Sequence, residues 1–356
     1  MPVIIDSPNT WSPFSLPAGQ EAKYQTPGAP LDEGLKQRAR NNDNFSIDYL
    51  FTLACENSLQ SPEAESFIFD LYTGKQGVTA DNQLSVQLGK DALKMVEIVQ
   101  ARNKQKPAHD QWQIPIKILM MAGFETNSLS SLRENIVADI KRQLPPQLTN
   151  AISDNGYQID SAIFDPNRYI TSAELDSVSG LLNRKQSRVA FHNAIGIPEA
   201  EPHCGALITQ MAAGLSHNNQ PGFAVDFKPL LFREHWVLFG TYTRSDGQKQ
   251  SIVFDSLDYL NASEKAWLDR LAGASDTSSP LFLQKNLQEN APNACGLLVA
   301  KAMQAIADNP SEPEQALQKF IQEFSALDNS EQQLFNLRGR AEMYGALVDN
   351  LSQSGS

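Results

Sequence analysis

The chain has 356 residues, 41% of them hydrophobic, and a formal net charge of −12. That length supports two hydrophobic cores rather than one, and the acidic excess without any basic run argues against a nucleic-acid partner, whose phosphates are bound through clustered Lys and Arg. No apolar stretch reaches the roughly 20 residues that span a bilayer, and Asp6, with no preceding Lys or Arg, spoils a secretory signal.

Residues 1–31 carry Pro2, Pro8, Pro13, Pro17, Pro27 and Pro30 among Ser, Thr, Gly and Gln. Such a composition has too few periodic apolar residues to pack, so a disordered leader is expected. From 32 to 160 the pattern is helical. Tyr49, Leu50, Leu53 and Ala54, then Phe67, Ile68, Phe69, Leu71 and Tyr72, then Leu93, Met95, Val96 and Ile98 recur at three-to-four-residue spacing. Gly74 and Gly77 stop one helix, Pro107 separates two others and Pro145-Pro146 interrupts the last, giving a small all-helical domain. Cys55, between Ala54 and Glu56, is expected in its core.

Turn formers cluster at Asn155-Gly156 and Asp165-Pro166-Asn167, so a second domain is expected over 161–356. Residues 223–227 and 235–242 are rich in aromatic and β-branched side chains, and 251–254 and 281–283 form shorter apolar runs, all read as strands. Residues 295–307 read as a buried helix. Two more helices follow, each opened by a capping-box pattern, Ser311 with Glu314 and Ser330 with Gln333. The expected class is α+β.

Three cysteines, Cys55, Cys204 and Cys295, cannot all pair and show no C-x-x-C spacing, and the five histidines form no H-x-x-x-H pair. No metal or cofactor site is expected. Within Asn290-Ala291-Pro292-Asn293-Ala294-Cys295-Gly296, Asn293 is a good N-cap residue. Cys295 would then sit in the first turn of an apolar helix, whose partial positive charge favours the nucleophilic thiolate. Gly296 lets backbone or substrate approach closely. A buried packing cysteine is an equally good reading of this segment alone.

A base is required, and His235 opens the strongest strand. If Ser245-Asp246-Gly247 makes a three-residue hairpin loop with Gly247 left-handed, Arg244 pairs with Gln248 and His235 opposes Leu257. Asp255 is then a diagonal neighbour of His235 on the same face, where it would accept the imidazole Nδ1 hydrogen bond and fix the ring. Gln288 could aim its NH2 at the developing oxyanion beside the Cys295 N–H; Gln284 is a weaker candidate. Singly, His235 reads as a half-buried histidine and Asp255 as a turn residue; the ordered set carries the argument.

That order, His235, Asp255, Gln288, Cys295, with Trp236 after the histidine, resembles the clan CE cysteine proteases, the group of the SUMO proteases and adenovirus protease. It resembles more closely the SseL/ElaD-like effector deubiquitinases of enteric bacteria. The similarity recurs in Phe69-Asp70-Leu71-Tyr72-Thr73-Gly74-Lys75, Met121-Ala122-Gly123, Gly214-Leu215-Ser216-His217-Asn218 and Glu331-Gln332-Gln333-Leu334-Phe335-Asn336, from about residue 35 to 348. The resemblance implies an Ulp1/adenain-like protease domain behind the helical one, with Cys295 as nucleophile, His235 as base, Asp255 as its orienting partner and Gln288 as oxyanion donor. It also implies that Trp236 lines a narrow tunnel for a Gly-Gly tail; a core aromatic is the alternative. The implied partners are ubiquitin and ubiquitinated host proteins, reached after type III secretion into the host cell cytoplasm. Two departures bear on Gln288: the SUMO proteases place Gln six residues before Cys and an acid directly before it, whereas here the spacing is seven and Ala294 intervenes. The bacterial subgroup shares the longer spacing, and its third position can be Asn.

Three rivals stand beside this reading. Cys204, before an apolar run, would with His235 and Asp255 give the order of papain-like and transglutaminase-like enzymes. A Ser/Thr/Lys acetyltransferase of the YopJ type resembles the same clan, although no basic cluster suits an inositol phosphate or acetyl-CoA. The last is a non-catalytic, host-binding adaptor on a degenerate protease fold.

Overall fold

The computed structural model describes residues 30–56, 61–74, 82–126, 130–143, 161–185, 188–215 and 225–354. The leader up to residue 29, Gly77, Pro145-Pro146, Asn155-Gly156, His217 and Phe223 lie outside them. The chain divides into two compact units, one holding described residues 30–143 and 161–165, the other those from 166 onward.

The described part of the first unit is helical: α1 Glu33–Arg40, α2 Asn44–Cys55, α3 Pro62–Thr73, α4 Asn82–Asn103, α5 Ile116–Glu125 and α6 Ser131–Gln143. Short polar side chains start the first three. Asp32, Asp43 and Ser61 accept hydrogen bonds from the backbone N–H of Gly34, Ser46 and Ala64, satisfying donors a helix start leaves open. Gly74, at φ 80, ends α3 in the left-handed region that favours glycine. Pro107 falls between α4 and α5, as expected. Cys55 is fully buried, and burial pushes its thiol up, as suits a packing residue.

Gly123 shows how close that packing is, because a Cβ there would stand 2.3 Å from Phe164 Cζ. Gly123→Ala is therefore expected to destabilise the helical unit by about 1–3 kcal/mol, the usual cost of overpacking. Urea unfolding followed by circular dichroism checks this; an unchanged midpoint would refute the contact.

The second unit is built on a six-stranded sheet ordered β1-β3-β4-β5-β6, with β2 also on β3. The strands are β1 Ala190–Phe191, β2 Ile195–Ile197, β3 Asp226–Phe232, β4 His235–Thr243, β5 Lys249–Asp255 and β6 Leu281–Gln284. The helices are α7 Ser172–Lys185, α8 Glu201–Cys204, α9 Ile208–Leu215, α10 Ala262–Ala274, α11 Cys295–Asp308, α12 Pro313–Ala326 and α13 Asn329–Ser354.

Strand β3 runs past its expected end at 227, straight through Pro229. The proline has no N–H to give, and it falls between the residues paired with β1 (226–227) and those paired with β2 (230–232). The β4–β5 hairpin has the expected form: Arg244 N–H donates to Gln248 O at 2.9 Å, and Gly247 sits at φ 82. Thr243 then pairs with Lys249 and Leu238 with Phe254.

Alternation along β4 sends side chains to opposite faces. Val237 and Phe239 join Leu230, Phe232 and Val253 in one core with Met211 and Leu215 of α9 and Trp267, Leu268 and Leu271 of α10. Helix α11 packs on β4 and is buried along its first turns by Leu297, Leu298 and Val299.

Three helix starts differ from expectation. Asn293 does not cap α11; it lies at φ 57, and its side-chain NH2 donates to Asn167 O at 2.6 Å. Ser311 does not cap α12, which starts at Pro313 after Glu312 with no side-chain cap. Ahead of α13 the reciprocal box is Asp328 with Glu331, not Ser330 with Gln333. The cap patterns overlap within two residues, and the local chain path selects among them.

Candidate active site

Strand β4 begins directly after a two-residue turn, Arg233-Glu234, that reverses the chain from Phe232 to His235. His235 is therefore the last side chain on its end of the sheet, where no further strand separates one face from the other. Asp255 ends β5 and lies diagonal to it. The imidazole Nε2 is 2.8 Å from Asp255 Oδ1. The expected partner nitrogen was Nδ1; the ring is turned the other way, and Nδ1 is the nitrogen left for Cys295, with which His235 also hydrogen-bonds. A proton held on Nε2 by the carboxylate makes Nδ1 the lone-pair nitrogen of the neutral ring.

Asp255 is fully buried. Besides the imidazole, Oδ1 accepts the N–H of Leu257 at 3.0 Å, and Oδ2 accepts those of Tyr259 at 2.9 Å and Leu260 at 3.4 Å. The Gln284 side-chain NH2 adds a further bond to Oδ2 at 3.0 Å. Burial opposes the negative charge, but hydrogen bonds from His235, Leu257 and Gln284 outweigh it and hold the carboxyl well below the usual carboxylate range. The same balance acts in reverse on His235. Burial disfavours the imidazolium, yet the hydrogen bonds to Asp255 and Cys295, with the charges of both, push it up to about 9.

Cys295 is the first residue of α11 and only 2% exposed. Ala294, the N-cap, makes no side-chain hydrogen bond, so the first-turn N–H groups are not consumed by a cap. Gly296 admits side chains rather than substrate: a Cβ there would meet Ile170 Cβ at 2.5 Å and Trp236 Cδ1 at 3.2 Å. Trp236 is buried, and its indole N–H donates to Ile170 O at 2.9 Å. It occupies the position of a core aromatic beneath the start of α11.

Gln288 reaches the site indirectly. Its NH2 donates to Ser256 Oγ at 3.0 Å, one residue beyond Asp255. Gln284 has a role the sequence did not reveal, because it is parallel pairing of β5 with β6 that sets Gln284 opposite Asp255. Tyr259 was also missed. Its ring lies 5.2 Å from the His235 ring, and the Arg233 guanidinium stacks on it at 4.0 Å while gripping Glu264 at 2.9 and 3.0 Å. Proximity to Asp255 in sequence was the available signal.

Cys204 stands elsewhere. It is exposed at the end of the single-turn helix α8, with its thiol on Glu201 Oε2 at 3.3 Å. Glu201 also accepts the backbone N–H of Leu207 and Ala206 and the indole N–H of Trp267, so this cluster anchors the start of α9 to α10. Among the described residues no group of three or more His, Cys, Asp or Glu could hold a metal, and no helix is long and apolar enough to cross a membrane.

A carboxylate, an imidazole and a thiol thus stand in series from Asp255 through His235 to Cys295, an arrangement by which a base can activate a cysteine as a nucleophile. The Salmonella typhimurium protein named Deubiquitinase SseL is 26% identical over 319 residues, covering 85% of this chain and 88% of that one. The Salmonella arizonae protein of the same name is 26% identical over 333 residues, 88% and 91% of the two chains. Among solved structures, the Xanthomonas campestris effector protein XopD bound to ubiquitin aligns at 14% identity over 43% of this chain and 78% of that one, with a TM-score of 0.31. The SUMO protease Ulp1 with its catalytic cysteine oxidized to a sulfinic acid aligns at 13% over 58% and 97%, with a TM-score of 0.35. The family description ElaD/SseL-like C-terminal matches residues 161–342, which contain every residue of this relay and just over half of the sequence. The chain belongs to the ElaD/SseL-like family.

Proposed function

We propose that this chain is a deubiquitinase, a cysteine isopeptidase that removes ubiquitin from host proteins after export from a bacterium. The observation that carries the reading is the hydrogen-bonded series Asp255, His235, Cys295 in a chain matching, over most of its length, relatives named as deubiquitinases. The near-complete burial of Cys295 supports a substrate whose reacting end is narrow, as a C-terminal Gly-Gly tail without side chains is. Family membership and the proline-rich leader support export into the host cytoplasm.

In the reaction, the Cys295 thiolate attacks the isopeptide carbonyl carbon, and the tetrahedral oxyanion is met by the Cys295 N–H; Gln288, held on Ser256 Oγ by one N–H of its side-chain amide, has the other left for a second bond to it. As the C–N bond breaks, the His235 imidazolium gives its proton to the departing lysine amine, leaving a thioester. Neutral His235 then takes a proton from water as the water attacks the thioester. Ubiquitin leaves with a free carboxyl group, and the thiolate and imidazolium are restored.

Release of a fluorophore from the ubiquitin C-terminus tests this directly, with acetyl-CoA consumption as the parallel assay. Activity on acetyl-CoA and none on ubiquitin would transfer the site to the acetyltransferase reading. A pH profile adds a second check. Because His235 is raised to about 9, the imidazolium persists through neutral pH, and kcat/KM for fluorophore release should fall only as pH rises through about 9. An alkaline limb near the ordinary imidazole value of 6.5 would contradict the coupling to Asp255 and Cys295.

A further inference from the structure

Residues 290–294, which deliver Cys295, form bends and turns rather than a regular element. Their position is set from outside by one face of α13. Asn329, Gln332, Asn336 and Arg340 recur at spacings of three and four, so they line a single stripe of that helix. Asn290 Nδ2 donates to Asn329 Oδ1 at 3.1 Å and to Gln332 Oε1 at 2.9 Å. Asn336 Nδ2 donates to Pro166 O at 2.9 Å and to Pro292 O at 3.4 Å. Arg340 donates from Nε to Asn336 Oδ1 at 2.9 Å, and from one terminal nitrogen to Arg168 O at 2.8 Å and Asn293 O at 3.3 Å.

Both Asn336 and Arg340 are buried, so each bond is made away from water, where a lost partner leaves a costly unpaired group. Arg340 holds Asn293, whose left-handed conformation asparagine tolerates and whose hydrogen bonds select it over a helix-capping one. The helix is itself docked closely. A Cβ at Gly339 would meet Leu297 Cδ2 at 3.1 Å, and Lys301 of α11 pairs with Glu342. Two of the four stripe residues lie in the segment 331–336 that carries part of the family resemblance.

We propose that Asn336 and Arg340 are positioning residues: from α13 they hold the Pro292 and Asn293 carbonyls, and so fix where the Cys295 sulfur and N–H point. This rests on Cys295 being the nucleophile. The role is one of aim rather than of substrate affinity, and a loop free to drift by 1 Å loses turnover more than binding.

Asn336→Asp is nearly isosteric and keeps the acceptor for Arg340 Nε, but removes both donors to the carbonyls. Arg340→Lys keeps the charge and loses the planar fork that serves three acceptors at once. Each should lower kcat for ubiquitin-fluorophore release by on the order of 10²-fold, with KM within about twofold. In hydrogen–deuterium exchange, amides of 290–297 should exchange faster while the β4–β5 hairpin is unchanged. Gln333→Ala, on the exposed face of the same helix, should match wild type in both measurements. Wild-type kcat and loop exchange in both variants would overturn the inference, as would exchange raised uniformly through α13 and the sheet. If wild type ignores ubiquitin but the loop-specific exchange contrast remains, the positioning role stands and the substrate reading falls.

Discussion

Replacing Cys295 by alanine should abolish ubiquitin release, lowering kcat/KM by at least about 10⁴-fold, the scale on which hydrolases respond to loss of nucleophile or base. The size follows from the relay having one sulfur at its end. His235 already hydrogen-bonds to it, and nothing else in the described site offers a nucleophile at that position. Labelling by a ubiquitin carrying a C-terminal electrophile is the cleanest measurement, because it reports covalent capture without turnover. Wild type should form the adduct and Cys295→Ala should not. Cys204→Ala should label like wild type, since that thiol is bonded to Glu201 beside α9. Labelling that survives the first substitution and vanishes with the second would reverse the assignment.

The second large effect is expected at Asp255. Asp255→Asn should cost about 10³–10⁴-fold in kcat, as removal of a triad carboxylate does when geometry is kept but the imidazole loses its orienting charge. The carboxylate accepts from His235, Gln284 and three backbone N–H groups. An amide cannot accept from all of them, because one of its two ends only donates. Either the imidazole or the turn at 257–260 must lose its partner, so activity and stability should fall together. The variant's alkaline limb should also move down from about 9 toward 6.5.

Stability carries the same signature with definite signs. His235 is raised on folding, so its contribution is full below pH 6.5 and is lost as pH rises through about 9. Asp255 is lowered from 3.8, so its contribution is present above that value and is lost as pH falls below it. Wild type should therefore lose thermal stability on both sides of neutrality. Asp255→Asn should show a flatter profile in a thermal scan across pH, and equal slopes in the two proteins would argue against the pair.

Much of this site was legible because its key pairing is local. The three-residue loop 245–247 sets the β4–β5 register, and once Thr243 faces Lys249 no freedom remains in where Asp255 lies relative to His235. What is non-local was not legible. The parallel pairing that puts Gln284 beside Asp255 depends on a crossover through α10, and no spacing along the chain encodes it. Asn293 departs from the expected N-cap for a related reason. Asn suits both an N-cap and the left-handed region, and its hydrogen bond to Asn167, 126 residues away, selects the second.

The amino-acid sequence by itself determined the helical character of the first region, the hairpin, the apolar helix that follows Ala294 and the membership of His235, Asp255 and Cys295 in one set, since each follows from periodicity, turn chemistry or order along the chain. Only the tertiary structure decided which imidazole nitrogen faces the acid, that Trp236 lies under Gly296, and that a helix beginning 34 residues after the cysteine braces the loop before it. These depend on contacts between distant segments, whose geometry is selected by packing and by the need to pair every buried polar group.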